Sequence, residues 1–259
     1  MRDESERDRS AFLADVADRT RFEQIGWIPE TGSTNDDLAA VAADAGPEQV
    51  LVTDLQTAGR GRRDRVWTAP SESAVLMSFL IRDGRDLAPF WTIGCVALAA
   101  AEAVSERTTP RCRLKWPNDL LIEGRKVAGV LAQLHGDTMV VGIGINANWR
   151  AGRPEGVPDH ATSIDAHLPE TGASLDRLQF VGDLVTRVDS LLTADSADVR
   201  SRWVEACETV GAHVRAELDQ TSAITGMAID VDVHGGLQIQ AGTQVQTVHV
   251  GDVVHLRRD

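Results

Sequence analysis

The hydrophobic rhythm of this chain changes once, at Gly211, and that change limits what it can fold into. Before it, compact apolar runs alternate with longer segments of helical spacing. Gln49–Leu55, Ala74–Ile81, Val127–Leu134 and Met139–Ile145 read as buried strands. Phe90–Arg107 predicts a mostly apolar core helix. Ser174–Leu192 and Ala197–Thr209 predict two amphipathic helices after the Pro- and Gly-rich loop 152–158. Two shorter strand-like runs, Cys112–Trp116 and Asp119–Ile122, precede Val127–Leu134, with EGRK (123–126) as the tight turn. Past Gly211 the helical signal stops. His213–Leu218, Ala228–Val233, Leu237–Ile239, Val245–Val250 and Val253–Leu256 alternate with Gly and Asp turns, the pattern of a small β-barrel. The expectation is an α+β fold with a mixed or antiparallel sheet over residues 1–210, and a separate β domain over 211–259.

Residues 1–22 read as a charged lead-in with Phe12, Leu13 and Val16 on one helical face. So short a lead-in leaves no room for a helix-turn-helix module ahead of the chemistry. Ser33-Thr34-Asn35 supplies N-cap candidates for a helix through DDLAAVAADAG, with Asp36 and Asp37 in its first turn and Gly46 after its end.

Composition excludes several classes. No apolar run approaches the ~20 residues of a membrane span, and MRDESERDRS lacks a signal-peptide core. Cys95, Cys112 and Cys207 are scattered without CxxC, so neither a disulfide framework nor a zinc site is indicated, and a reducing cytoplasm is expected. A net charge of −13 argues against nonspecific attraction to nucleic acid or anionic membrane. Asp outnumbers Glu 25 to 14, and the 26 bases comprise 24 Arg and two Lys, Lys115 and Lys126. An Asp-rich, Lys-poor chain reads as halophilic, with GC-rich codon usage as the alternative. Either way, Arg is the default cation here and the two lysines are exceptions.

Five motifs carry polar chemistry. GRGRRDR (59–65) crowds arginine forks and backbone N–H groups where side-chain bulk is low, which suits a carboxylate or phosphate. A solvated basic turn is the plain alternative. STN (33–35) caps a helix, or presents hydroxyls and an amide to a polar ligand. KWPND (115–119) places a cation, an amide and a carboxylate around a proline that interrupts strand pairing, or makes an Asx turn. Lys126 ends a tight turn and opens VAGVLAQL, suiting an ammonium aimed inward at an anion; a surface hairpin lysine is the alternative, although a surface position here would be expected to use Arg. Gly129 inside that run suggests a ligand or backbone packed closely against it, while Gly142 and Gly144 in GIGINAN (142–148) would admit a flat group against the sheet or mark a β-bulge. HExxH and GxSxG are absent, and the seven His are dispersed.

Taken in this order and spacing, STN, QTAGRGRRDRVW (56–67), KWPNDLL, KVAGVLAQ (126–133) and GIGINAN closely resemble the biotin–protein ligase family, over roughly residues 30–259. The resemblance implies a fold like class II aminoacyl-tRNA synthetases and biotinyl/lipoyl ligases, with an SH3-like C-terminal barrel. It implies an enzyme of the purely catalytic class, which joins biotin to ATP as biotinyl-5′-AMP and passes biotin to a lysine of a carboxyl carrier domain. ATP with Mg²⁺ and biotin are then substrates, with no tightly bound prosthetic group, no metal ligands assigned, and monomer or homodimer both open.

The same resemblance implies site residues. Ser33, Thr34, Asn35, Gln56, Gly129 and Gly142 would form the biotin pocket, with Arg60, Gly61 and Arg62 closing over it. Lys126 would meet the carboxylate and phosphoryl oxygens. Arg62, Arg65, Trp67, Lys115, Asn118, Lys126 and Asn146 would border the nucleotide. Lys126, Arg62, Arg60 and Asp119 would carry the chemistry, with Asp119 helping to deprotonate the acceptor lysine. Two positions depart from the family pattern: Asp64 replaces a usual Gly, and Gln133 stands where a carboxylate is common. The rivals are a lipoate–protein ligase of the same superfamily and a non-catalytic relative that only holds a nucleotide or acyl-adenylate.

Overall fold

The computed structural model describes residues 2–43, 46–63, 65–82, 88–149, 152–170, 172–218, 222–249 and 252–256. Asp64 lies outside them, so its effect on the arginine loop is not described. The first part of the chain runs α1 (Arg2–Ala17), β1 (Gln24–Thr31), α2 (Thr34–Val41), β2 (Gln49–Gln56), β3 (Ala74–Arg82) and α3 (Pro89–Ser105). Then come β4 (Arg113–Lys115), β5 (Asp119–Ile122), β6 (Arg125–His135), β7 (Thr138–Asn146), α4 (Arg177–Thr193) and α5 (Ser196–Ala206). The last part is β8 (His213–Glu217), β9 (Ala223–Val231), β10 (Leu237–Ala241), β11 (Gln244–Val248) and β12 (Asp252–His255).

Seven strands form one mixed sheet in the order β1-β2-β3-β7-β6-β5-β4. Only β1–β2 is parallel; the other pairs are antiparallel. The apolar run of β3 is buried almost throughout because helices cover both faces of the sheet. On one face α3, buried along nearly its whole length, packs between the sheet and helices α4 and α5. On the other, Leu38 of α2 and Ala42, its C-cap, meet Leu80 and Val140. The lead-in is a packed helix: Leu13 and Val16 are buried, and Phe12 sits against Gly182 of α4.

Strand β1 is the element that the sequence pattern does not reveal. QIGWIPET has no clean alternation and contains Pro29, which an edge strand tolerates because one side of its backbone needs no ladder partner. Helix α2 also differs from expectation. It takes Thr34 and Asn35 into its first turn and stops at Val41, short of Gly46. The turn before β6 behaves as read, with Glu123 and Gly124 both at positive φ.

The five C-terminal strands form an antiparallel sheet in the order β11-β10-β9-β8-β12, leaving β11 and β12 at its two edges. Tryptophan N–H groups join it to the rest: Trp91 Nε1 donates to Val233 O at 2.8 Å and Trp116 Nε1 to Gly235 O at 3.0 Å.

Candidate active site

Sheet register builds the floor. Gly129 pairs with Gly144 and Leu131 with Gly142 across β6–β7, and Ser78 pairs with Gly142 across β3–β7. A Cβ added at Gly144 would lie 2.6 Å from Trp67 Cε2, and one added at Gly142 would lie 2.0 Å from Asn35 Oδ1. These glycines therefore exist to admit flat groups, as the sequence suggests, and two of those groups belong to the chain itself. Trp67 leaves its buried Nε1 without a hydrogen-bond partner among the described residues.

The STN segment closes one end. Ser33 is the N-cap by backbone conformation but makes no side-chain capping bond, so the capping reading fails for it. Thr34 and Asn35 are buried instead in a hydrogen-bond chain. Thr34 N donates to Gln56 Oε1 at 2.9 Å, Thr34 Oγ1 meets Ser78 Oγ at 2.6 Å, and Ser78 Oγ donates to Asn35 Oδ1 at 2.6 Å. Asn35 Nδ2 donates to Leu131 O at 3.2 Å. Every link holds its neighbour's rotamer. Ser78 was not singled out from sequence, although it is the one hydroxyl inside the apolar run AVLMSFLI. Ser33, Thr34, Asn35, Gln56, Arg60, Trp67, Gly129, Gly142 and Gly144 line a slot of about 40 Å³.

The described residues on either side of Asp64 in the arginine motif pair with one another beside this slot. Arg60 and Val66 form a β-bridge, Gly61 N donates to Arg65 O at 2.7 Å, and Trp67 N donates to Gly59 O at 3.0 Å. Gly59 is required by this closure, since a Cβ there would lie 2.5 Å from Trp67 O. Arg60 pairs with Asp36 at the start of α2, while Arg62 Nη1 donates to Asn118 Oδ1 at 3.1 Å. The loop thus spans from the STN end to the KWPND turn.

Beyond Trp67 the slot adjoins a cavity of about 650 Å³, lined by Arg60, Arg62, Arg65, Lys115, Asn118, Asp119, Lys126 and Asn146 among others. Lys126 Nζ lies 2.5 Å from Asp119 Oδ1 and 5.8 Å from the Trp67 ring centroid. Asp119 is therefore engaged with Lys126. Asn118 Nδ2 donates to Val130 O at 2.7 Å. Asn146 Nδ2 donates to Thr162 O at 2.9 Å, tying β7 to the residue that follows the 156–161 segment, which forms another wall. That segment, with Glu217, Val253 and Val254 of the C-terminal sheet, escaped sequence reasoning because nothing local marks it.

Lys115 enters the cavity wall from the end of β4. Burial raises the proton affinity of the nearby Glu208 carboxyl, opposed by the charges of Lys115 and Arg113. Burial, and then Lys115, hold His255 below its ordinary pKa of 6.5. His255 Nε2 lies 3.0 Å from Thr209 Oγ1, which accepts from Trp116 N at 3.1 Å. Among the described residues no three His, Cys, Asp or Glu side chains converge as a metal-binding group. No described helix is long and apolar enough to cross a membrane.

The model of the biotin/lipoate A/B protein ligase family matches residues 29–148, and that of the biotin protein ligase C-terminal domain matches residues 209–256. The biotin–[acetyl-CoA-carboxylase] ligase of Mycobacterium tuberculosis is 35% identical, over 91% of this chain and 90% of its own. The enzyme of the same name from Paracoccus denitrificans is 31% identical over 84% of this chain and 95% of its own. A solved structure of the Aquifex aeolicus biotin protein ligase in complex with biotin and ATP superposes with a TM-score of 0.77 at 28% identity. That match covers 92% of this chain and 100% of the other. With this identity spanning both parts of the molecule, the chain belongs to the biotin protein ligase family.

Proposed function

We propose that this protein activates biotin with ATP and transfers it to a lysine of a biotin carboxyl carrier domain of a carboxylase. The observation that carries this reading is the junction at Trp67 and Arg60, where a narrow hydrogen-bonding slot meets an arginine- and lysine-lined cavity. The slot holds the ureido ring and chain of biotin against the glycines, in place of part of the space Trp67 now covers. The Trp67 N–H, whose burial without a partner costs about 1–3 kcal/mol, gains an acceptor from the ligand.

In the first step a biotin carboxylate oxygen attacks the α-phosphorus of ATP. A P–O bond forms, and the bond to pyrophosphate breaks. The carboxylate is a weak nucleophile, so positioning and charge neutralisation supply most of the catalysis. Arg60 and Arg62 hold the anions by planar forks, and Lys126 places a compact charge where negative charge accumulates. Asp119 positions the Lys126 ammonium through their ion pair. Mg²⁺ bound to the ATP phosphates would neutralise part of their charge beside these cationic side chains. Arg60, Arg62 and Trp67 exclude water from the mixed anhydride. In the second step the neutral amine of the carrier lysine attacks the acyl carbon, and a C–N amide bond forms. The bond from that carbon to the phosphate oxygen breaks, AMP leaves with the electron pair, and the nitrogen releases a proton to solvent. The lipoate and non-catalytic alternatives find no support among the relatives named above.

ATP–pyrophosphate exchange tests the first step. Exchange should depend on biotin and be far weaker with lipoate; equal exchange with both would contradict the assignment of the slot.

A further inference from the structure

Strand β7 pairs with β6 only as far as Ala128, opposite Ile145, and so does not reach Lys126. Residues 160–162 take its place there. Lys126 N donates to His160 O and Thr162 N to Lys126 O, each at 2.8 Å, which makes Ala161 a parallel bridge partner of Lys126. The residue that carries the ammonium is thus gripped by both of its backbone polar groups. Arg125 Nη2 donates to Ala161 O at 2.7 Å and Asn146 Nδ2 to Thr162 O at 2.9 Å, so β6 and β7 hold the segment in turn.

A further tie leads away from the cavity. The buried Thr162 places Oγ1 2.9 Å from His167 Nε2, at the end of a 3₁₀ turn over Ile164–His167. His167 is anchored as well, its carbonyl accepting from Thr109 N at 3.1 Å. A hydrogen-bonded path therefore runs from the imidazole through Thr162 to the backbone of Lys126, whose Nζ is fixed on Asp119 at 2.5 Å. An ammonium that must meet charge as it develops tolerates little displacement.

We propose that His167 is a positioning residue for adenylation: its neutral ring holds Thr162, and through Thr162 the Lys126 ammonium, while its protonation loosens both. The inference rests on the biotin-ligase reading. His167 lies outside the residues that line the slot and the cavity, so it acts only through Thr162. A neutral ring can accept the Thr162 hydroxyl proton, whereas the imidazolium has no acceptor. Charging the ring in this partly buried place costs desolvation, which turning out toward water recovers. Burial holds His167 below its ordinary pKa of 6.5, and the Arg125 charge acts in the same direction. Glu123 in the β5–β6 turn and Asp165 in the 3₁₀ turn act against them. Asp165 Oδ2 meanwhile accepts from Trp149 N at 2.8 Å.

The test is single-turnover formation of biotinyl-AMP by the full chain at saturating biotin, ATP and Mg²⁺, from about pH 8 to about pH 5. Each variant is measured below its own Tm. The wild-type rate constant should fall at least ~10-fold as the pH drops from 6.5 through the depressed value of His167. His167→Gln keeps a hydrogen-bonding group toward Thr162 without titrating in this range, and should flatten that fall. His167→Ala leaves Thr162 unheld and should be about 10-fold slower than His167→Gln above about pH 7. Thr162→Ser should restore the wild-type profile that Thr162→Val loses. The KM values for biotin and ATP should change less than the rate constant, because the ring lines neither space. A packing role alone would lower the rates without changing the shape of the pH profile. Parallel acid limbs in wild type and His167→Gln, or equal rates in His167→Gln and His167→Ala, would overturn the inference and leave the ligase reading standing. If the wild type forms no biotinyl-AMP at any pH, the ligase reading falls and this inference falls with it.

Discussion

Asn35 Oδ1 occupies the space in which a side chain at position 142 would begin: a Cβ there would lie 2.0 Å away. The amide of Asn35 and the missing Cβ of Gly142 are therefore one device, held by Ser78 and Leu131 O. Gly142→Ala should force Asn35 out of both hydrogen bonds. The expected cost is about 1–3 kcal/mol of stability and a loss of biotin affinity of at least ~10-fold. Calorimetric titration with biotin, alongside a denaturation curve, checks both. Unchanged affinity would remove Asn35 from the slot.

Lys126 and Asp119 should separate in their effects. Lys126→Arg keeps the charge but replaces a compact ammonium by a wide fork, and should lower adenylation at least ~100-fold. Asp119→Asn leaves Lys126 charged but less constrained, and about 10-fold is expected. Single-turnover formation of biotinyl-AMP is the measurement, and wild-type rates in the Arg variant would refute the role of Lys126.

The seam between the two sheets should carry an acid-sensitive group. His255 is held below its ordinary pKa of 6.5, so the unfolded chain binds its proton more readily than the folded one. Its contribution to stability is complete above pH 6.5 and is lost as the pH falls from there through the depressed folded value. Glu208 has the opposite sign: its pKa is raised above 4.5, so its contribution is lost as pH rises through the raised value. His255→Gln keeps a hydrogen-bonding group toward Thr209 and should flatten the fall in Tm between pH 6.5 and about pH 5. An identical fall in variant and wild type would exclude His255 as its source.

Salt should stabilise the molecule. A net charge of −13 repels itself across the surface, and added ions screen that repulsion. Raising KCl from about 0.1 M to about 2 M should therefore increase Tm. The half-exposed Arg60–Asp36 pair weakens under the same screening, but such pairs contribute at most ~1 kcal/mol. A Tm that falls with salt would contradict the halophilic reading of the composition.

Much of the architecture was legible because buried strands and one core helix announce themselves by apolar runs; β3 and α3 are the clearest cases. Strand β1 was not, since an edge strand with half-exposed residues and a proline carries neither pattern. Within the site, Gly129, Gly142 and Gly144 declared a close approach, but only the tertiary structure shows that Asn35 and Trp67 are what approaches. The Lys126–Asp119 pair joins two motifs across β5 and β6, so no local spacing predicted it. Ser78 and the 156–161 wall become functional candidates only once the sheet places them.

The most direct measurement is the mass of an isolated biotin carboxyl carrier domain after incubation with this protein, ATP and Mg²⁺, given biotin and lipoate together. A single biotinyl group on one carrier lysine and no lipoyl group is the expected result, under high salt or low. A carrier that stays unmodified at both salt concentrations, or one that takes up lipoate instead, would contradict it.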